Sequence, residues 1–299
     1  MKLRSLLLWI VMLATLAVGG LQIWKQQQAR DQLAWFSGYA QAMFNLRYDE
    51  LWAPLVGPLE LRSVYLTAGR LLRELLSLPG GYYLQADTLY LDEFRSDNSR
   101  PELLALRLKG LRLPTPDWLS RGTDARFMGM AILPLANLGY TELRGGAQLK
   151  AAFSPGSRAL GVAGDIELED FARLQFNLEL DVDERIMQGW PDDGGLRSLS
   201  LTLRDEGFLE RYKGRVAQRL RINLAAAEAK LLSELDDYAQ AQQLRWSDES
   251  AAAARRFLHR GGQLKITMLP LAGFELRNLQ LYPLGEWPVL LGLELSHSD

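Results

Sequence analysis

The sequence predicts an α+β fold, in which an N-terminal transmembrane helix is followed by a mainly antiparallel curved β-sheet packed by one long amphipathic helix. Three patterns support this prediction. An uncharged run, Leu6–Trp24, follows a short basic start. Between Ala147 and Arg204, four stretches alternate between apolar and polar residues, as half-buried antiparallel strands do. Leu209–Tyr238 then carries an apolar stripe with helical spacing.

The N-terminal run is predicted to be a membrane anchor, because Leu6–Trp24 is about as long as a helix must be to cross a hydrocarbon core. The basic residues before it favour a cytoplasmic N-terminus, which would place the rest of the chain in the periplasm, outside a bacterial inner membrane. Trp24 and Lys25 are the predicted membrane-interface residues. A cleaved signal peptide stays an alternative, since the small residues at Val18–Gly20 suit a cleavage site. A buried core helix is a third interpretation.

These patterns divide the chain into three parts. Residues 1–25 are the predicted anchor or signal peptide, residues 26–43 a juxtamembrane helix, and residues 44–299 a β-rich periplasmic domain with helices near 206–243 and 248–260. The juxtamembrane helix carries an aromatic stripe, which we expect to dock on the domain or, in the alternative, to enter the lipid headgroups. The stripe consists of Trp35, Phe36, Tyr39 and Met43.

The alternating strands predict an antiparallel meander with one apolar and one polar face. The residues expected on the apolar side are Leu149, Phe153, Val162, Ile166, Leu174, Phe176, Leu178, Leu199 and Leu201. Such a surface must be covered by something. The predicted helix 206–243 is the obvious cover, with Leu224 and Leu231 in the core. Complete coverage would leave a closed core, whereas partial coverage would leave an apolar surface for a ligand. Further strands are expected at residues 59–66, 83–94, 104–113, 263–268, 274–282 and 289–296.

The composition excludes several kinds of chemistry. The 299-residue chain has no cysteine and two histidines, His259 and His297, which are far apart in sequence. Disulfides, cysteine zinc sites and thiol nucleophiles are therefore excluded. A net charge of −2 argues against nucleic-acid binding, which needs a basic surface. The sequence contains no nucleophile elbow, Walker loop or dinucleotide-binding fingerprint. We therefore predict no catalytic residues, no metal, no cofactor and no enzymatic activity.

A series of short patterns follows the anchor and spans most of the chain. The series comprises Tyr48–Leu51, Gly57–Leu61, Ala86–Leu91, Leu106–Leu113 and Leu201–Arg211. In the last of these, a strand runs directly into a long helix. The series resembles AsmA-like inner-membrane-anchored periplasmic proteins and the uncharacterised families near them. The resemblance implies an inner-membrane anchor, a periplasmic domain built on a long curved sheet, and a role in envelope or lipid homeostasis.

Together, the patterns and the resemblance predict a non-enzymatic, inner-membrane-anchored periplasmic protein that acts in envelope homeostasis and binds lipid on its apolar sheet surface. The alternative is a structural scaffold that binds a membrane or envelope protein. The lipid bilayer is the predicted partner of the N-terminal helix, and no nucleic acid is expected. The two interpretations differ in whether the apolar surface stays open or is covered by the chain itself.

Overall fold

The computed structural model describes most of the chain. The described residues are 21–31, 33–34, 44–69, 82–97, 100–115, 126–127, 130–131, 133, 135–154, 156–181, 195–271 and 281–299. Residues 1–20 of the predicted anchor, the stripe within 35–43 and most of the predicted strand 274–282 lie outside these ranges. Within the described ranges, no helix is long and apolar enough to cross a membrane.

The chain forms two compact units. The first unit comprises Met1–Glu93 and Leu106–Gly110, and the second comprises Phe94–Ala105 and Leu111–Asp299. Two long strands between residues 83 and 114 contribute residues to both units.

The first unit is built around one long strand. Its strands are β1 (Phe44–Arg47), β2 (Glu50–Trp52), β3 (Leu59–Ala68), β4 (Tyr83–Asp97) and part of β5 (Arg100–Pro114). Strands β1, β2 and β4 all pair with β3 in antiparallel register. Ser63 of β3 has a φ of 52°, which interrupts the alternation of the strand. As a result, Leu61 and Val64 are both fully buried although they are three positions apart.

A helical segment at residues 21–31 and 33–34 packs against the turn between β2 and β3. Ala29 and Leu33 are each only 5% exposed. Long polar side chains of the segment donate hydrogen bonds to carbonyl groups of that turn. This part of the predicted juxtamembrane helix therefore docks on the first unit, while its aromatic stripe lies outside the described residues.

The second unit contains the predicted meander. Its strands are β6 (Arg126–Phe127), β7 (Met130–Ala131), β8 (Glu142–Ser154), β9 (Ala159–Leu168), β10 (Ala172–Asp181), β11 (Gly195–Asp205), β12 (Gln263–Met268) and β13 (Leu293–Ser298). Its main helices are α1 (Phe208–Leu220), α2 (Leu224–Ala241) and α3 (Asp248–Arg260). Strands β8 to β13 pair in sequence order and are antiparallel throughout. An α+β fold with a mostly antiparallel curved sheet and several helices is therefore confirmed.

The prediction of one long helix over 206–243 is wrong, because the segment forms two helices. Arg221 adopts a left-handed conformation with a φ of 55° and ends α1. The side chain of Asn223 then accepts a hydrogen bond of 2.8 Å from the backbone N–H of Ala226 and starts α2. Leu220 and Leu224 flank this break and are 42% and 52% exposed. The apolar stripe is therefore interrupted where the sequence suggested continuity.

The third helix matches its prediction, but the last strand starts later than expected. The hydroxyl of Ser247 caps α3 by accepting a hydrogen bond from the backbone N–H of Ser250, and Gly261 follows its last turn. Within the predicted strand 289–296, the first residues instead belong to a short helical turn, Trp287–Leu290. Pro288 stands at the start of that turn, where its fixed φ suits a helix.

A buried lysine joins the three helices. Lys213 of α1 is 8% exposed, and its Nζ donates a hydrogen bond of 2.6 Å to the carbonyl oxygen of His259 in α3. The same Nζ lies 3.4 Å from Oε2 of Glu228 in α2, whose other carboxylate oxygen contacts Nδ1 of His259. Burial alone would raise the pKa of Glu228, but the hydrogen bond from His259 and the charge of Lys213 outweigh it and lower that pKa.

Two matched leucine substitutions test the break between α1 and α2. Leu231→Asp is expected to destabilise the second unit by roughly 3 to 5 kcal/mol, because it would bury an unpaired charge at a site that is 2% exposed. Leu224→Asp is expected to change the free energy of unfolding by about 0.5 kcal/mol or less, since Leu224 is half exposed. Chemical denaturation followed by circular dichroism measures both. Equal losses would contradict the break.

Glu228→Gln is expected to lower the free energy of unfolding by about 1 to 3 kcal/mol at pH 7.5, because it removes the partner of a buried cation. A carboxylate whose pKa is lowered on folding stabilises the protein above its unfolded pKa and loses that contribution as the pH falls through the lower, folded value. The difference between variant and parent should therefore shrink below about pH 4.5. Urea denaturation at pH 7.5 and pH 3.5 measures it.

Glu234→Gln serves as the control for this pH test. Glu234 pairs with Lys230 one helical turn away, with 3.2 Å between the charged atoms, and the side chain of Lys230 is 47% exposed whereas that of Lys213 is 10% exposed. Such pairs contribute only about 0.3 to 0.5 kcal/mol. If Glu228→Gln lowers the free energy of unfolding by the same amount at both pH values, the result would contradict a structural role for the charge of Glu228.

Candidate functional site

Strands β8 to β13 place apolar side chains in consecutive rows on one side of the sheet. Directly paired residues of antiparallel strands lie on the same side, so each row crosses the sheet. One central row comprises Leu149, Gly164, Phe176, Leu201, Ile266 and Leu295, and the other comprises Ala151, Val162, Leu178, Leu199, Met268 and Leu293. The flanking rows comprise Ala147, Ile166, Leu174, Leu203, Leu264 and His297 on one side and Phe153, Leu160, Leu180 and Leu196 on the other. We call the surface formed by these four rows the apolar face.

All nine residues that the sequence analysis placed on the apolar side lie on this face. Eight of them are half-buried, and Phe153 is buried, with 6% of its surface exposed. The alternation of the four central strands was therefore sufficient to predict which of these side chains share one side of the sheet. It did not reveal that β12 and β13 extend the same rows, although Leu264, Ile266 and Met268 alternate with polar residues in the sequence.

The helices cover one edge and one end of the apolar face. At the edge, Phe257 and Leu258 of α3 pack with Leu264 and its neighbours on β12 and β13. At the end, α1 and α2 pack around Leu143 and Leu168. Within the described part of the chain, neither of these clusters includes a side chain from the central rows of β8 to β11. Those rows remain half-buried, so the helices do not form the complete cover that the sequence suggested.

Four aromatic rings fix the covered end. The rings of Tyr140 and Phe171 meet edge to face with centroids 5.4 Å apart, and the ring of Phe208 lies 4.9 Å from that of Phe171. The hydroxyl of Tyr140 donates a hydrogen bond of 2.6 Å to the carbonyl oxygen of Asp170. Burial raises the pKa of Tyr212, the fourth ring, to about 12. The helices therefore pack tightly at this end of the apolar face rather than on the central rows of β8 to β11.

A glycine in a central row lets one aromatic ring lie across the apolar face. A Cβ atom on Gly164 would come within 2.4 Å of the ring of Phe176 and 3.0 Å of the side chain of Leu149. The Phe176 ring therefore rests directly on the backbone of β9. The Phe176 ring and the Leu149 side chain therefore fill the space that a side chain at position 164 would take.

The opposite side of the sheet is polar. One of its rows comprises Gln148, Asp165, Gln175, Thr202, Lys265 and Ser296. Nε and Nη2 of Arg173 donate hydrogen bonds to the carboxylate of Asp165, at 2.9 and 2.6 Å. The hydrogen bonds from Arg173 lower the pKa of Asp165 against the opposing effect of burial. Polar side chains on this side form ion pairs and hydrogen bonds with one another, and the surface that they form is suited to contact with water.

A pocket of about 450 Å³ also lies on the polar side. It is formed where small residues such as Gly161 and Ala163 leave space between Lys150 and Glu179. Its lining is mixed, because Val162 and Leu178 of a central apolar row also contribute to it. Among the described residues, no group of three or more histidine, aspartate and glutamate side chains could hold a metal ion.

Comparison with known families places the second unit in one of them. Residues 146–297, just over half of the chain, match the model of a family described as "Uncharacterized protein". The chain belongs to this family. The match runs from β8 to β13 and contains α1, α2 and α3, so the apolar face and its partial cover are part of the family's own region. No curated protein matched the sequence. The resemblance to AsmA-like proteins stays a prediction.

Two glycine substitutions on β9 test the packing of Phe176. Gly164→Ala is expected to lower the free energy of unfolding by roughly 1 kcal/mol or more, because the new methyl group displaces the Phe176 ring. Gly161→Ala, on the other side of the same strand, should be neutral or slightly stabilising, since its nearest neighbour is 3.8 Å away. Chemical denaturation compares the two. A tolerated alanine at 164 would show that the ring does not rest on β9.

Proposed function

We propose that this protein is a non-enzymatic, inner-membrane-anchored protein of the bacterial periplasm that binds the acyl chains of a lipid on its apolar face and acts in envelope homeostasis. The observation that supports this proposal is that the central rows of the apolar face are only partly buried. Their side chains on β8 to β11 are apolar and half-buried, and the described helices pack elsewhere. A soluble domain seldom leaves a contiguous surface of this kind without an occupant.

The dimensions of the apolar face suit an extended hydrocarbon chain. Four strands about 4.8 Å apart and four rows about 6.8 Å apart give an area of roughly 14 by 20 Å. At Gly164, the ring of Phe176 lies across the backbone of β9 and gives a bound chain an aromatic surface to lie on. Each methylene group that leaves water contributes about 0.8 kcal/mol, so a chain that covered the rows would bind with useful affinity. The polar side of the sheet, with its ion pairs, offers no such gain.

The sequence supports membrane anchoring of this domain. The uncharged run Leu6–Trp24 has the length of a membrane-spanning helix, and the described helical segment 21–31 overlaps the end of this run. An anchored domain has the bilayer as a nearby source of lipid. The chain thus combines a predicted attachment to the membrane with an apolar surface that the described helices cover only in part.

Site-specific photo-crosslinking in cells tests the occupant directly. Phe176 is replaced with p-benzoylphenylalanine in cells that have incorporated radiolabelled phosphate into their phospholipids. We expect the label to be transferred to the protein, because residue 176 lies in a central row. The same photoreactive residue at Gln175, which points to the polar side, should transfer little label. Leu178→Asp should abolish transfer from position 176, whereas Asn177→Asp, the same added charge on the other side, should not.

Two outcomes would overturn the lipid proposal. A crosslink from position 176 to another protein would instead support the scaffold interpretation, in which an envelope protein covers the apolar face. No crosslink to lipid or to protein at 176, together with wild-type stability of Leu178→Asp, would show that the face needs no occupant.

A further inference from the structure

A second apolar surface lies on the first unit, where the helical segment meets the turn between β2 and β3. Its large side chains are strongly exposed: Val56 is 90% exposed, Ile23 72% and Trp24 60%. Leu21 and Trp52 are each 50% exposed. We call these five residues the apolar rim. Five large apolar side chains on one helix end and its neighbouring turn are far more than the isolated exposed residues that soluble surfaces usually carry.

Hydrogen bonds hold the two parts of the apolar rim together. Nε2 of Gln22 donates to the carbonyl oxygen of Ala53 at 2.6 Å. Nζ of Lys25 donates to the carbonyl oxygens of Pro54, at 3.4 Å, and of Leu55. The turn is thus fixed beside the first two turns of the helical segment. Its carbonyl groups are already paired, which lowers the cost of placing them in a region that is poor in water.

The exposed residues of the helical segment change in character just after Trp24. Before this point, the exposed positions are apolar and belong to the apolar rim. After it, the exposed positions are mainly polar and comprise Gln27, Gln28, Arg30 and Asp31. The uncharged run Leu6–Trp24 ends at the same place. The helix therefore carries a boundary between apolar and polar surroundings, and the turn with Trp52 and Val56 is attached at that boundary.

We propose that the apolar rim is a membrane-contact site, in which Trp52 at the end of β2 and Val56 in the following turn enter the headgroup region of the bilayer beside the anchor. This inference rests on the proposed membrane anchoring. Tryptophan is the side chain most typical of that region, because its ring is apolar and its N–H still reaches water. The uncharged run Leu6–Trp24 favours a bilayer as the partner of the apolar rim. A membrane-spanning helix over that run would place the surface of the bilayer at the level of Trp24. If both the anchor and the apolar rim contacted the bilayer, the first unit would also be less free to rotate about the anchor.

The chain has no cysteine, so a single introduced cysteine can carry a probe. Val56→Cys in the full-length protein is labelled with a polarity-sensitive nitrobenzoxadiazole dye and reconstituted into phosphatidylethanolamine–phosphatidylglycerol vesicles. Gly156→Cys is the control, because Gly156 lies in an exposed turn of the second unit where a side chain would meet nothing within 4 Å. We expect a blue-shifted emission at position 56 that is quenched by phospholipids brominated near the headgroup and protected from aqueous iodide. The dye at position 156 should respond to iodide only.

Retention of the protein in the vesicles after alkaline extraction separates the two levels of the proposal. If the protein is retained but the dye at position 56 is as accessible to iodide as the dye at position 156, the membrane-contact site is wrong while the anchor stands. If the protein is extracted, the anchoring itself is wrong, and the contact site that rests on it falls as well. Lipid quenching at position 56 in retained protein supports both.

Discussion

The antiparallel register of β8 to β13 is the constraint on which the second unit depends. Because side chains alternate along a strand, a slip of one residue would move every leucine of that strand to the polar side. The pairing is regular from Ala172 to Glu179 and shifts only between Glu179 and Leu180 at the far end of β10. The apolar rows and the ion pairs of the polar side are thus two results of one register. Any binding property of the apolar face follows from it.

The position of the helices decides how much of that face is used as core. The left-handed residue Arg221 and the cap at Asn223 turn α2 back along α1, so that the two helices pack on each other and on one end of the sheet. Lys213 then ties both of them to α3 through Glu228 and the backbone of His259. A lysine so deeply buried is tolerated because its charge is paired and hydrogen-bonded. The same arrangement keeps these helix clusters away from the central rows of β8 to β11.

The two units each carry an apolar surface, but the surfaces differ in form. The apolar face is broad and half-buried, which suits a chain that lies along it. The apolar rim is small and strongly exposed, with Val56 and Trp52 at a turn whose carbonyl groups are already paired. A surface of this second kind suits the boundary of a bilayer rather than a single bound molecule. The proposed functions of the two surfaces are therefore compatible with one anchored protein and remain separately testable.

The sequence alone determined which residues lie on each side of the sheet, because alternation with a period of two is a local property of each strand. The nine predicted residues of the apolar face followed from this pattern. The extent to which the face is covered was decided by the tertiary structure. The apolar stripe of residues 209–238 was correct in spacing, but a single capped break at Asn223 redirected its second half. A cap contributes only about 1 kcal/mol, and whether it interrupts a helix depends on the packing available on each side. The pairing of the turn at residues 53–55 with Gln22 and Lys25 likewise joins residues about thirty positions apart, a distance at which a sequence pattern carries no information about contact.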